Sequence, residues 1–221
     1  MSTVVVKLGG AVAAEATSLV ARMAREHAVC VVHGAGPQIS AEMKRLGLDV
    51  TFVGGRRVTT AAALAVVRDS FAAVNEELCA ALAPLAVPLF GDEIGLRATP
   101  MPELGLVGEA LPSRPAAVTD ALAAGMIPVV APLAEGPLNV NADEVAAALA
   151  IGLGAERILF LTDVPGLLLG GAVAATIRGV DVERMLDAGE LSGGIVPKLR
   201  AAIGAAREGV DAKIGATAVL A

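Results

Sequence analysis

The sequence predicts an α/β fold with a mainly parallel central sheet covered by helices on both faces, and three observations lead there. Short apolar runs alternate with helical stretches of ten or more residues along the chain. The runs that read as strands, Val4-Val5-Val6 and Val29-Cys30-Val31-Val32 among them, are continuous rather than alternating, as strands buried on both faces are. Finally, 55% of the 221 residues are apolar but only 2% are aromatic, so the core is built from Ala, Val, Leu and Ile, which suit close helix–sheet layers.

In chain order, residues 3–7 read as a strand and 16–27 as a helix, with Thr17 or Ser18 as its cap. Residues 29–33 form a second strand ending at Gly34-Ala35-Gly36-Pro37. The helix 38–46 follows, with Pro37 near its first turn, where a missing N–H costs nothing. After the turn at Gly54-Gly55 comes a long helix over 61–82, then a strand over 84–90. The Gly- and Pro-rich span 91–115 reads as a hairpin with loops. A helix at 116–124, stopped by Gly125, leads to a strand at 127–131. A helix at 143–153, a strand at 157–161 and a helix at 197–209 complete the pattern.

The composition also excludes several classes. So much apolar surface offsets chain entropy, which rules out global disorder. Mean hydropathy is +0.70, yet charge-free stretches such as 78–91 and 164–177 are broken by Pro or Gly and fall short of the roughly 18 residues a span needs. Met1-Ser2-Thr3 runs straight into Val4, with no basic leader or cleavage site, so a cytoplasmic protein is expected. A net charge of −6 and an isoelectric point near 5.0 argue against nonspecific nucleic-acid binding. Cys30 and Cys79 each sit in an apolar run and read as buried small hydrophobes. Two histidines, His27 and His33, without metal-like spacing leave no zinc site.

Six segments are candidates for chemistry. Lys7-Leu8-Gly9-Gly10 ends the first strand, and the carboxyl ends of strands are where open α/β sheets bind ligands. Its glycines let the backbone approach an anion and Lys7 adds a charge, although a solvated lysine fits equally well. His33-Gly34-Ala35-Gly36-Pro37-Gln38 puts a glycine turn at a helix start, a phosphate cradle, but it lacks the third glycine of a dinucleotide fingerprint. No Walker loop exists in the chain, and a lone histidine such as His33 is more often structural than catalytic. Gly55-Arg56-Arg57-Val58-Thr59 puts two guanidinium groups, suited to a carboxylate, beside a turn, with plain surface arginines as the alternative. Asn139-Val140-Asn141-Ala142-Asp143 is a dense polar cluster before an Ala-rich helix, where Asn141 or Asp143 could simply cap. Thr162-Asp163-Val164-Pro165-Gly166 follows a strand, and Gly193-Gly194-Ile195-Val196-Pro197-Lys198 opens a helix as a second anion site. This inventory suits phosphoryl transfer, which needs positioning and charge neutralisation. The lack of an obvious base fits a carboxylate acceptor, already ionised at pH 7.

Taken in order, these segments resemble the amino acid kinase family from Val4 to about Asp211, and within it the kinases of N-acetyl-L-glutamate. The most specific elements are Gly105-Leu106-Val107-Gly108-Glu109, Asn139-Val140-Asn141-Ala142-Asp143 and Ile195-Val196-Pro197-Lys198. The resemblance implies an open αβα sandwich in two lobes: 1–154 for the amino-acid acceptor and dimerisation, 155–221 for the nucleotide. It implies ATP-dependent phosphorylation of the side-chain carboxylate of N-acetyl-L-glutamate, in arginine biosynthesis, with Mg2+ carried on the ATP phosphates rather than in a protein cage. Lys7 and Lys198 would stabilise the transferring phosphoryl group from opposite sides, and Asp143 would hold both lysines. Gly10, Gly34 and Ala35 would offer backbone N–H groups. Arg57 and Asn139 would fix the acceptor's α-carboxylate. Asp163, Val164, Pro165, Gly166, Leu167 and Leu168, with Glu190, Leu191 and Ser192, would line the nucleotide pocket.

Three departures from the family pattern stand out. Ala35 replaces a central glycine, so its methyl demands negative φ or strain. Arg56 stands where an aliphatic residue is common. After the Lys198 helix, residues 210–214 pass through Gly215 almost directly to 217–220 with no intervening helix, which leaves the cover of one sheet face open. Because the chain begins at its first strand, without the extra helix of arginine-inhibited members, an arginine-insensitive homodimer is expected. The alternatives are a kinase for another amino-acid carboxylate, such as an aminoadipate derivative, or an inactive nucleotide-binding regulatory module.

Overall fold

Val4, Val6 and Leu8 pack into one apolar core while Val5 packs into another, so the first strand separates two helix layers. The second strand divides the same way, Val29 and Val31 to one side and Cys30 and Val32 to the other. Burial on both faces is why these strands carry unbroken apolar runs. The computed structural model describes residues 1–9, 14–162 and 165–221. The chain runs β1 (Thr3–Leu8), α1 (Ala14–Met23), β2 (Ala28–His33), α2 (Gly36–Arg45), β3 (Phe52–Val53), β4 (Arg56–Arg57), α3 (Ala61–Ala81), β5 (Ala86–Phe90) and β6 (Ala98–Pro100). A 3-10 turn (Pro102–Leu104), β7 (Val107–Ala110), α4 (Ala116–Ala123), β8 (Ile127–Ala131), β9 (Leu133–Ala134), β10 (Leu138–Val140), α5 (Ala142–Leu153) and β11 (Arg157–Phe160) follow. It ends in β12 (Leu168–Leu169), β13 (Ala172–Val173), β14 (Thr176–Arg178), α6 (Gly179–Asp187), α7 (Ile195–Arg207), β15 (Asp211–Ile214) and β16 (Thr217–Leu220).

Among the described residues the main sheet has eight strands in the order β14-β16-β15-β11-β1-β2-β8-β5. Every neighbouring pair is parallel except β15 and β16. Residues of α1, α2 and α3 fill one core; those of α4, α5, α6 and α7 fill the other. The result is a three-layer αβα sandwich with a mainly parallel sheet. A smaller sheet, β6-β7-β10-β9, and the β3–β4 hairpin stand apart from it. The span 91–115 does contain an antiparallel pair, β6 with β7.

The first helix differs from its sequence reading. It starts at Ala14, so Thr17 and Ser18 lie inside it and neither can cap. The strands β9, β10, β12, β13 and β14 escape a periodicity reading, because two or three residues are too short to show a period; the nine-residue helix α6 is a further element outside the sequence reading. Next to the edge strand β14, β15 and β16 form a tight antiparallel hairpin through Gly215, whose φ of +54° favours glycine. Ala212, Ile214 and Val219 pack toward α7, while Asp211, Lys213 and Leu220 are exposed. One face of this hairpin is therefore open to solvent.

Small side chains let α5 and α7 pack closely: Ala146, Ala147, Ala148 and Ala150 of one and Ala201, Ala202 and Ala205 of the other are buried. Gly152 of α5 is required by a different close approach, that of the Ser113 backbone before α4. A Cβ there would stand 2.1 Å from the Ser113 carbonyl oxygen and 2.5 Å from its carbon, backbone that has nowhere to go. Gly204 of α7 faces open space. The two glycines therefore respond oppositely to the same change. Gly204→Ala should gain up to about 1 kcal/mol of helix propensity, whereas Gly152→Ala should lose about 1–3 kcal/mol to overpacking. Urea midpoints at unchanged slope measure both.

Candidate active site

The chain builds outward from β1 in two directions, through β2, β8 and β5 on one side and β11, β15 and β16 on the other. That reversal opens a crevice at the carboxyl end of β1. A cleft of about 820 Å³ lies there, within the size range of small-molecule sites. Lys7 points into it from the end of β1, Asp143 from the first turn of α5 and Lys198 from the first turn of α7.

These three side chains meet. Lys7 Nζ lies 2.9 Å from Asp143 Oδ1 and Lys198 Nζ lies 3.4 Å from Oδ2, all three being largely buried. The Lys198 contact has hydrogen-bond geometry; the Lys7 contact is an ion pair outside it. Asp143 is placed by the cap of its helix: Asn141 Oδ1 accepts from the Asp143 and Glu144 N–H groups at 2.8 and 3.3 Å. The amino end of α5 also favours a carboxylate in its first turn. Removing one partner from a buried pair of this kind costs about 3–5 kcal/mol, against at most about 1 kcal/mol for exposed pairs such as Arg45–Glu42. Two ammonium groups share one carboxylate, so the cluster carries an excess of positive charge. Burial lowers the Lys7 pKa from 10.5, Asp143 opposes that shift and Lys198 adds to it. An incoming anion would relieve this imbalance.

The glycine segments flank the cluster. Gly9, Gly34, Gly193 and Gly194 line the cleft. Gly34, however, does not offer its own N–H, which donates to the Leu8 carbonyl at 3.1 Å. Ala35, which precedes α2, supplies no side-chain cap, and Pro37 in the first turn has no N–H. Ala35 itself sits at φ −142°, without strain, and is buried in the core. The start of α7 likewise lacks a side-chain cap. Gly10, Asp163 and Val164 lie outside the described residues.

On the opposite wall, adjacent hairpin residues point to opposite faces. Arg57 is buried and donates to the Gly36 carbonyl at 3.1 Å and Ser40 Oγ at 2.8 Å, with its guanidinium over the Phe52 ring. Among the described residues no carboxylate pairs with it, and burial lowers its pKa. It is a cation held by neutral groups at the edge of a cleft, an arrangement suited to a carboxylate ligand. Arg56 instead bridges Glu109 at 3.0 Å and Glu144 at 2.9 Å, tying the hairpin to β7 and α5. Asn141 Nδ2 also donates to the Gly55 carbonyl at 3.1 Å, and Gly55 abuts Pro197 so closely that a Cβ would overlap it. Asn139, on β10, lines the cleft and donates to Thr59 Oγ1 at 3.0 Å. Thr59 closes the candidate segment Gly55–Thr59, but its residue type alone assigns it no role there.

His33 is fully buried, with Asn75 Nδ2 donating to its Nε2 at 3.1 Å and to the Val129 carbonyl at 2.9 Å. Burial pushes its pKa down to about 4, so it is neutral at pH 7 and structural in role. Pro165, Gly166, Leu167, Leu168, Glu190, Leu191 and Ser192 do not line the cleft of the lysine cluster. Leu167 is a core residue, whereas Leu168 is exposed. The structure thus unites Lys7, Gly34, Ala35, Arg57, Asn139, Asp143 and Lys198 around one space and leaves Pro165–Leu168 and Glu190–Ser192 outside it.

The described residues contain no helix long and apolar enough to cross a membrane. The chain is similar to several known proteins. It is 43% identical over 97% of its length to the acetylglutamate kinase of Rubrobacter xylanophilus, covering 88% of that protein. It is 38% identical over 92% of its length to the acetylglutamate kinase of Geobacillus kaustophilus, covering 85% of it. Among solved structures, smu.665 from Streptococcus mutans superposes with a TM-score of 0.90 at 25% identity, covering 99% of this chain and 98% of that one. Carbamate kinase from Giardia lamblia bound to AMP-PNP shares the fold at a TM-score of 0.74 and 14% identity, covering 99% and 98%. The model of the amino acid kinase family matches residues 2–215, and with the lysine–aspartate cluster at the end of β1 this establishes that the chain belongs to the amino acid kinase family.

Proposed function

We propose that this chain is an acetylglutamate kinase, transferring the γ-phosphoryl group of ATP to the side-chain carboxylate of N-acetyl-L-glutamate, an early step of arginine biosynthesis. The observation that carries the reading is the pairing of Lys7 and Lys198 on Asp143 at the mouth of the cleft. An oxygen of the acceptor carboxylate attacks the γ-phosphorus, and the bond from that phosphorus to the bridging oxygen breaks, its electrons leaving on ADP. The carboxylate is ionised at pH 7, so no proton has to be removed and no base is required.

Lys7 and Lys198 stabilise the charge that develops on the transferring group, from β1 and from α7 respectively. Asp143 holds both in place. The Ala35 and Gly36 N–H groups at the entrance of α2 and the Gly9–Gly10 backbone offer further donors to the phosphoryl oxygens. Arg57 and Asn139 hold the acceptor's α-carboxylate. The nucleotide extends along Asp163–Val164, Pro165, Gly166 and Leu168 toward Glu190, Leu191 and Ser192, with Leu167 supporting that run from the core. Mg2+ would come with the nucleotide and would supply charge neutralisation at the phosphates, alongside Lys7 and Lys198. This divides the labour between 1–154 and 155–221, with Asp143 and Lys198 joining the two. Ala35 sits at negative φ, and the β15–β16 hairpin is paired on both sides, with β11 and β14, so neither supports an inactive module.

Trapping the acyl phosphate as a hydroxamate tests the reading. Wild type with ATP and N-acetyl-L-glutamate should form hydroxamate, and Lys198→Ala should lower kcat by about a hundredfold or more. ATP binding without hydroxamate from any acceptor in a panel that includes N-acetyl-aminoadipate contradicts it. Arg57→Ala should raise the acceptor KM while moving kcat little, since it removes ground-state binding. The lowered Lys7 pKa sets the sign of the alkaline limb. kcat/KM should fall as pH rises through a value below 10.5, and Lys7→Arg, whatever activity it retains, should move that limb upward.

A further inference from the structure

We infer that Thr59 is a positioning residue that sets the acceptor grip from behind, an assignment that rests on Arg57 and Asn139 holding the acceptor. Thr59 is fully buried between the hairpin and the small sheet. Its hydroxyl donates to the Arg57 carbonyl at 2.7 Å and accepts from Asn139 Nδ2 at 3.0 Å. A hydroxyl has one proton, and here it is committed to Arg57. Thr59 therefore meets Asn139 as an acceptor only, which dictates that the amide turns its nitrogen toward Thr59. Among the described residues Asn139 makes no other side-chain hydrogen bond, and it lines the cleft. Its Oδ1 and the second Nδ2 proton are left for the cleft. With the amide rotated by half a turn, two oxygens would face each other and the bond would be lost.

The backbone fixes Thr59 as firmly as its hydroxyl fixes its neighbours. Its N–H donates to the Leu104 carbonyl at 2.9 Å, and its carbonyl accepts from Leu106 at 2.8 Å. Leu106 in turn accepts from the Asn139 N–H at 3.0 Å. Gly105 permits this approach: it sits at φ +84°, and a Cβ there would stand 2.4 Å from the Thr59 carbonyl oxygen. One buried side chain thus connects the backbone of the hairpin arginine to the side chain of the small-sheet asparagine, residues 57 and 139 in sequence. Neither contact touches the lysine cluster.

Thr59→Val keeps the shape and removes the hydroxyl, leaving the Arg57 carbonyl and Asn139 amide without their partner. Acceptor KM should rise about tenfold or more, with the KM for ATP and kcat at saturating acceptor within about twofold. Thr59→Ser, which keeps the hydroxyl, should return the acceptor KM to within about threefold of wild type. Nitrogen-15 NMR of the side-chain amides reads the orientation without turnover. One Asn139 amide proton should exchange slowly in wild type and Thr59→Ser and rapidly in Thr59→Val. An unchanged acceptor KM in Thr59→Val, equal damage in the Val and Ser variants, or parallel loss of ATP affinity overturns the assignment, as does slow exchange of Asn139 in the Val variant. A wild type that phosphorylates a different carboxylate overturns the N-acetyl-L-glutamate reading alone; the Thr59 comparison is then run with that acceptor. A wild type with no turnover leaves the NMR comparison to decide.

Discussion

One carboxylate, Asp143, is the counter-charge on which two buried ammonium groups depend. Without it, Lys7 and Lys198 would repel each other in a space that water barely reaches, and their side chains would turn away from any common ligand. The three groups come from three elements remote in sequence. β1 supplies Lys7 at its carboxyl end, the amino end of α5 supplies Asp143 and that of α7 supplies Lys198. The sheet order makes the meeting possible, because β1 lies where the chain's path reverses. The alanine faces of α5 and α7 then bring both helix starts over the same strand end. The composition, rich in alanine and nearly free of aromatics, is in this sense a consequence of the site's geometry.

The acceptor wall follows a different logic. There the cation, Arg57, has no acidic partner and is held by a carbonyl, a hydroxyl, a thioether and a ring. Its charge is kept available at some cost in desolvation. Its neighbour Arg56 does the opposite, satisfied by Glu109 and Glu144 and serving to fasten the hairpin. The same dipeptide thus supplies a binding group and an anchor, because successive strand residues face opposite sides. The hairpin tip touches both Asn141 and Pro197, so the acceptor wall is mechanically continuous with the helices that carry Asp143 and Lys198.

Much of this was legible in the sequence, for identifiable reasons. Strands buried on both faces write themselves as valine runs, and α5 announces its cap with Asn141 and its end with Gly154. Lys7, Asp143 and Lys198 were recognisable because each stands where a strand ends or a helix begins. Other features left no local trace. Thr59 is a threonine like any other until the fold brings Asn139 to it across 80 positions. That the Gly34 amide is already committed to Leu8 depends on the register of β1 against β2. Thr17 and Ser18 looked like caps because cap residues are recognised by type, whereas the start of α1 lies a turn earlier. Strands β12 and β13, of two residues each, are fixed by pairing with each other and offer no period to read.

The central claim is that Asp143 works by holding the lysines rather than by a contact of its own with the reacting atoms. A double-mutant cycle on kcat/KM, built from Lys7→Met, Asp143→Asn and the two combined, tests it most directly. Adding Asp143→Asn to Lys7→Met should cost at least tenfold less than Asp143→Asn costs in wild type, a coupling of about 1.4 kcal/mol or more. Losses that simply multiply would mean the carboxylate and the ammonium act independently, and would contradict the account.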